Sequence, residues 1–399
     1  MVEGDAKVMK NKRTTKGFRF FLSSFCRFLT EKVQVRYAYR RRIRKWQCSK
    51  CLEKWKRSFC LFLLFIAIFA PIDQKTCINH MKERIIYLDY LKALAIFLVI
   101  IYHSHAYDAL VMPPVLSMCV AIFFAVNGYL MLVKKRTYKE LLAKNMKIIF
   151  LVFFWGILRS AFQFLVLGGD LVPKAIFSNF LEFKVGYGNY LWFLVALFIL
   201  NLINPLVHAF VHHGSRSDKI VFCVLLFLFS ASFIRTLSWK FNPLRNWYHY
   251  ESVFYYVAGF FAINYSKRVK WPWHYCSLVV LGFYLVQLIE NCLFMHPSFT
   301  LFRVADYVFF NFGSMWVMGE TLALIVLFSK LKLRHNHFVE YVGSHTLGIY
   351  LLQDFFCSVT RNMMPNDYVY AYPPLVLLLC IAVLWLFEKN KFLRWIVTF

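Results

Sequence analysis

The chain is a succession of apolar runs separated by short polar segments. A bilayer core of about 30 Å takes about 20 apolar residues per helix. From Met81 onward, such runs fall near 88–106, 113–133, 148–167, 190–210, 219–236, 250–265, 275–294, 304–328, 338–358 and 371–388. Each is expected to be helical, because unpaired backbone groups are too costly in lipid. The pattern therefore predicts an all-α fold, a polytopic membrane bundle of about ten transmembrane helices. The runs near 250 and 338 are the weakest, being short or rich in Tyr, Gly and Ser.

The polar segments support this reading. Basic residues collect after every second run: Lys134, Lys135, Arg136, Lys139, Lys144 and Lys147; Arg216 and Lys219; Lys267, Arg268 and Lys270; Lys330, Lys332 and Arg334; Lys389, Lys391 and Arg394. The alternate segments are poorer, with Lys174 and Lys184, Lys240 and Arg245, and Arg361. The positive-inside rule assigns the richer side to the cytoplasm. A multi-pass protein of the cell membrane is expected, a bacterial inner membrane by preference, with both ends of the 81–399 body cytoplasmic.

Composition agrees. The 399 residues are 60% hydrophobic, 20% aromatic and 17% charged, with mean hydropathy +0.53. A soluble domain is usually about half apolar and about a quarter charged, so a soluble enzyme is not expected. The 45 Phe, 23 Tyr and 11 Trp suit lipid contact and interfacial belts. The net charge of +27 divides in two. Residues 1–80 hold 19 Lys/Arg against 5 Asp/Glu, and residues 81–399 hold 28 against 15. The surplus of the body is accounted for by topology, so no nucleic-acid partner is expected.

The segment 1–80 is set apart as a basic leader. It carries Arg40-Arg41-Arg42, Arg44-Lys45 and an apolar run from Phe59 to Ile72 that is short for a span. Three readings stand open: a basic region on anionic lipid, an extra span, or a segment upstream of a native start at Met81. No second catalytic domain is expected beyond the last span. The 11 cysteines are scattered through apolar segments, as small buried hydrophobes are. Cys48 and Cys51 form a CxxC without partners at zinc-ligand spacing, so no metal is expected.

Ionisable residues inside spans are expensive and usually line a cavity or a path. In the first span, Lys92 and His103 are eleven positions apart. Eleven steps of about 100° come within about 20° of three full turns, placing both on one face about 16 Å apart along the axis. Asp89, one turn from Lys92, can pair with it. The bland alternative is a snorkelling Lys92 and an interfacial His103. Arg159, Glu251, Glu290, Asp306, Glu320 and Asp354 are further intramembrane charges, each as suited to a structural ion pair as to a ligand. His212 and His213 are expected in a solvated loop with Gly214 and Ser215.

Five segments in order resemble the acyltransferase-3 family. Lys92, ten residues, then His103 resembles that family's basic residue, ten residues, His. Phe123-Phe124-Ala125-Val126-Asn127-Gly128-Tyr129-Leu130 resembles its FFxxSGYL, with Asn127 for Ser. Lys144 and Lys147 resemble its first cytoplasmic basic pair. Tyr190-Leu191-Trp192-Phe193-Leu194-Val195-Ala196-Leu197 resembles its hLWFLxAL. Gly343-Ser344-His345-Thr346-Leu347-Gly348-Ile349-Tyr350-Leu351-Leu352 resembles its SLGIYLLH. The likeness covers about 81–399. Two departures stand out. Lys92 replaces the commoner Arg, keeping the charge but losing the bidentate fork. Gln353 stands where His is frequent, leaving His345 or His105 as the remaining second histidines.

These are integral membrane O-acyltransferases of sugars and envelope glycans, relatives of fucose 4-O-acetylase among them. The resemblance implies acetyl-CoA as donor entering from the cytoplasm and a sugar or polysaccharide hydroxyl as acceptor. Acyl transfer to a hydroxyl needs a base and charge or donors for the developing oxyanion. His103 is the expected base. Lys92 is expected to orient the donor or the helix and to stabilise negative charge, and Lys144 and Lys147 to meet the phosphates. Asp89, Ser104, Asn127, Trp192, Glu320 and Tyr350 are candidate substrate-cavity residues. Ser104 as an acyl relay ranks below direct transfer, because a neighbouring helix position points about 100° away. The main rival is a transporter or flippase for an envelope saccharide or its lipid-linked precursor. It should show repeats and broken helices in matching halves, and no repeat is visible. A scaffold without catalysis would leave the shared-face pair without purpose.

Overall fold

A computed structural model describes residues 85–104, 112–167, 191–230, 251–295, 314–363 and 371–398. All of them lie in the unit Ile68–Phe399. The expected leader, together with Asp306, His105 and Tyr190, lies outside the described residues, as does the side chain of Glu290. The described residues form helices joined by short turns and loops, with no strand among them.

The helices are α1 (Ile86–Ser104), α2 (Met112–Leu132), α3 (Tyr138–Leu167), α4 (Trp192–His213), α5 (Arg216–Ser230), α6 (Glu251–Ser266), α7 (Trp273–Met295), α8 (Met315–Lys330), α9 (His337–Ser344), α10 (Thr346–Met363), α11 (Tyr372–Phe387) and α12 (Lys391–Val397). Among the described residues, α1, Val115–Leu132 of α2, Tyr138–Val166 of α3 and α4 are long and apolar enough to cross a membrane. Trp273–Ile289 and Tyr372–Phe387 are shorter apolar helices. The protein is a helical membrane bundle.

Helix α1 is the central post, packed by α2, α8, α9, α10 and α11. A helix apolar all round belongs in a core, and Leu91, Ala95, Ile96 and Ile100 are fully buried. By contrast, Ile220, Val221 and Val224 of α5 and Leu278, Leu281 and Leu285 of α7 are exposed, as lipid contact requires. Helices α2 and α6 cross closely at small residues. A Cβ on Gly128 would overlap the Tyr256 backbone, and one on Gly259 would overlap Ala125. Small residues are what let helices in lipid bring their backbones together. The glycine of the second motif is therefore a packing residue.

Three elements differ from expectation. The run 338–358 is two helices, broken at His345. The break follows from local bonds: Ser344 Oγ donates to the Glu340 and Tyr341 carbonyls, and His345 Nδ1 lies 2.8 Å from the Tyr341 carbonyl. These side chains compete with the helical ladder. Second, α3 starts at Tyr138, ten residues before its apolar run. Thr137 and Glu140 form a reciprocal capping box, each accepting the other's backbone N–H at 3.3 Å. Third, the polar tail forms α12, started by Asn390, whose side chain accepts from the Phe392 and Leu393 amides. Helix α12 folds back, so that Trp155 of α3 donates to the Ile396 carbonyl at 3.2 Å.

Candidate functional site

The two ends of α1 hold the ionisable residues that the sequence singled out, Asp89 and Lys92 at one and His103 at the other. At its start, Lys92 Nζ lies 2.8 Å from Asp89 Oδ1, with side chains 19% and 9% exposed. A charge at this depth needs a matched partner, and the i,i+3 spacing supplies it. Helix α9 presses on the pair from outside. A Cβ on Gly343 would stand 2.9 Å from the Asp89 carbonyl oxygen and 3.0 Å from its Cα, so only glycine permits this approach. Beside it, Tyr90 donates its hydroxyl to the Arg334 carbonyl at 2.9 Å.

At the other end, His103 lies half-buried in the last turn of α1. The Tyr102 ring stands edge-on to its imidazole at 5.4 Å. Helix C-termini leave carbonyls without intrahelical partners, and here Arg361 of α10 donates to the His103 carbonyl at 2.5 Å. The neighbouring Ser104 is buried and donates to the Ile101 carbonyl at 3.0 Å.

His345 does not join His103. Its Nε2 lies 2.6 Å from Glu388 Oε1 beyond α11, and its ring stacks on Tyr341 at 4.2 Å. It opens α10, whose last turn holds Arg361. Sixteen residues of helix, about 24 Å, thus separate it from the His103 end. Gln353 is fully buried, with its carbonyl oxygen 3.6 Å from Cys357 Sγ.

The motif aromatics converge on Phe193. Its ring lies 4.8 Å from Phe124, 5.6 Å from Tyr350 and 6.3 Å from Trp192. Segments from α2, α4 and α10 therefore meet at one residue. Asn127 sits one turn along α2 from Phe124, half-buried. Glu320 lies apart, buried in α8, and accepts from Gln287 Nε2 of α7 at 2.5 Å. Glu251, Tyr255 and Thr321 are also buried, on α6 and α8. Sequence reasoning passed over Gln287. A lone amide in an apolar run was the available signal, since such groups hydrogen-bond across helices in lipid.

Lys144 and Lys147 share α3 but reach different neighbours. Lys144 Nζ lies 3.4 Å from Met131 Sδ of α2, and Lys147 Nζ lies 4.8 Å over the Trp395 ring of α12. Arg159 and Asp354 close an ion pair at 2.6 Å between α3 and α10, and Arg159 also donates to Ser358 at 3.2 Å. His212 corrects a loop expectation. It belongs to the last turn of α4, where its Nε2 lies 2.8 Å from the Leu132 carbonyl.

These features define a helical membrane bundle whose central helix carries a charge pair at one end and a histidine at the other. The acyltransferase-3 family model, an acyltransferase domain, matches residues 85–387. The chain belongs to that family and is a membrane acyltransferase. All five motif segments overlap the matched region. No curated protein and no solved structure matches the chain.

Proposed function

We propose that this protein transfers an acetyl group from acetyl-CoA to a hydroxyl of a sugar or cell-envelope polysaccharide. It works in the cell membrane, with both ends of the 81–399 body in the cytoplasm. The observation that carries this reading is the division of labour along α1. A neutralised, packed Lys92–Asp89 pair and a half-exposed His103 stand about 16 Å apart on one face.

His103 takes the proton of the acceptor hydroxyl as its oxygen attacks the thioester carbonyl. The carbon–sulfur bond breaks, and the CoA thiolate leaves and takes up that proton. Lys92 is too far along the axis to touch the same carbonyl. It acts on the extended donor, as a binding and orienting charge. Lys144 and Lys147 meet the donor's phosphates at the cytoplasmic mouth. Their present neighbours, a thioether and an indole ring, are weak partners. A cation over a ring is worth about 0.5–1 kcal/mol at exposed sites, and a phosphate makes stronger, charge-assisted bonds.

The test is transfer of label from acetyl-CoA to glycan acceptors by the purified protein in vesicles, wild type against His103→Ala. Transfer by the wild type and none by the folded variant is the expected result. Undiminished transfer by the variant removes His103 from the chemistry. Vectorial uptake of saccharide without transfer removes the proposal altogether.

A further inference from the structure

The loop from α8 to α9 carries a side-chain cluster that acyl transfer does not use. We propose that His335, His337 and Glu340 form a zinc-binding site. Their donor atoms all lie within 4.8 Å of one another. His335 Nε2 stands 2.5 Å from Glu340 Oε2, and the two imidazole rings are 4.6 Å apart.

The backbone preorganises this arrangement. Asn336 is extended, with φ −135° and ψ 114°, and residues on either side of an extended position point the same way. The Asn336 side chain turns to the opposite side, where it accepts from the Phe338 and Val339 amides at 3.0 and 3.3 Å. That bond caps α9 and fixes the loop. His337 opens the helix, and Glu340 follows three residues later on the same helical face.

Two imidazoles and a carboxylate are an established zinc donor set, with water in the fourth position. Tetrahedral zinc at about 2.0–2.2 Å from its ligands holds the donor atoms roughly 3.3–3.6 Å apart. Small side-chain rotations from the observed spacing reach that. The ammonium of Lys330, at the end of α8, is bound to the Ser266 and Val269 carbonyls at 2.7 and 2.5 Å. Metal here would clamp the loop to the first turn of α9, the helix that rests Gly343 on Asp89.

The test uses the full chain, purified in detergent and stripped with chelator. Zinc is titrated in competition with a chromophoric chelator, and cobalt is added separately for its electronic spectrum. The wild type should take up an equivalent of zinc that the double variant His335→Ala/His337→Ala loses, and Glu340→Gln should weaken binding by at least about 10-fold, the cost of disturbing even an outer-shell partner. The cobalt spectrum should lack thiolate charge transfer. Size-exclusion profiles confirm that the variants, which keep the Asn336 cap, are folded. Equal zinc affinity in wild type and double variant overturns the proposal. So does a thiolate band, which would place the metal on cysteines, or a wild type that binds no zinc.

Discussion

The two ends of α1 are built on opposite plans. At the Lys92 end, charge is matched inside the helix by Asp89, the α9 backbone is drawn up to Asp89 through Gly343, and Tyr90 is bonded to Arg334. At the His103 end, Arg361 holds the main-chain carbonyl, while the ring stays half-exposed. A buried charge is tolerable only when its partner is fixed. A general base must instead accept a proton and meet a substrate, so its ring must be reachable. One end is made to stay still and the other to be approached.

The largest test of that contrast is His103→Ala. If the ring is the base, transfer should fall by about 10²–10⁴-fold, with little change in thermal unfolding, because the Arg361 bond is to the backbone. A comparable loss of stability would show that His103 is structural. The converse experiment is Lys92→Met. It removes the ammonium that lies 2.8 Å from Asp89 Oδ1 at a site 9% exposed. Breaking a buried pair from one side costs about 3–5 kcal/mol, so the midpoint of unfolding in detergent should drop clearly. The double variant Lys92→Met/Asp89→Asn should recover much of that stability without recovering transfer. Recovery of both would reduce Lys92 to a structural charge.

These contrasts were only partly visible in the sequence. Apolar runs and the eleven-residue spacing are local periodicities, so α1 and its shared face could be read directly. The start of α3 was also written locally, in Thr137 and Glu140, but the apolar run itself begins ten residues downstream. The break at His345 left only a hint, the Tyr, Gly and Ser that weaken the run near 338, because the deciding bonds are side chain to backbone. Contacts between distant segments left no periodic trace. Arg361 on the His103 carbonyl, Gly343 on Asp89 and Gln287 on Glu320 each depend on which helices become neighbours. The Arg159–Asp354 pair was half legible. Both charges stood out in apolar runs, but nothing local said that they meet.

Gly343→Ala probes the still end without touching charge. The new methyl would stand 2.9 Å from the Asp89 carbonyl oxygen, against backbone that cannot rotate away. Overpacking of this kind costs about 1–3 kcal/mol. The expected outcome is a lowered unfolding midpoint together with reduced transfer, because α9 must lift from the turn that orients Lys92. Gly282, which has nothing within 4 Å of an added Cβ, is the control. Gly282→Ala should lower neither, since alanine is the better helix former where there is room for it, and equal losses at the two positions would remove any special closeness of α9 to α1.

The smallest effect should come from Tyr90→Phe, which deletes only the hydroxyl bonded to Arg334. A single such bond is worth about 0.5–1.5 kcal/mol. The acceptor is a carbonyl with a second lone pair that water can satisfy at this half-exposed loop, so the lower part of that range applies. The useful readout is therefore kinetic. If the bond serves to steady the turn that presents Lys92 to the donor, the variant should raise KM for acetyl-CoA and leave kcat close to wild type, because the proposed mechanism puts the reacting carbonyl at the far end of α1. A fall in kcat with unchanged KM would mean that the start of α1 governs the chemical step, and the division between a still end and an approachable end would fail.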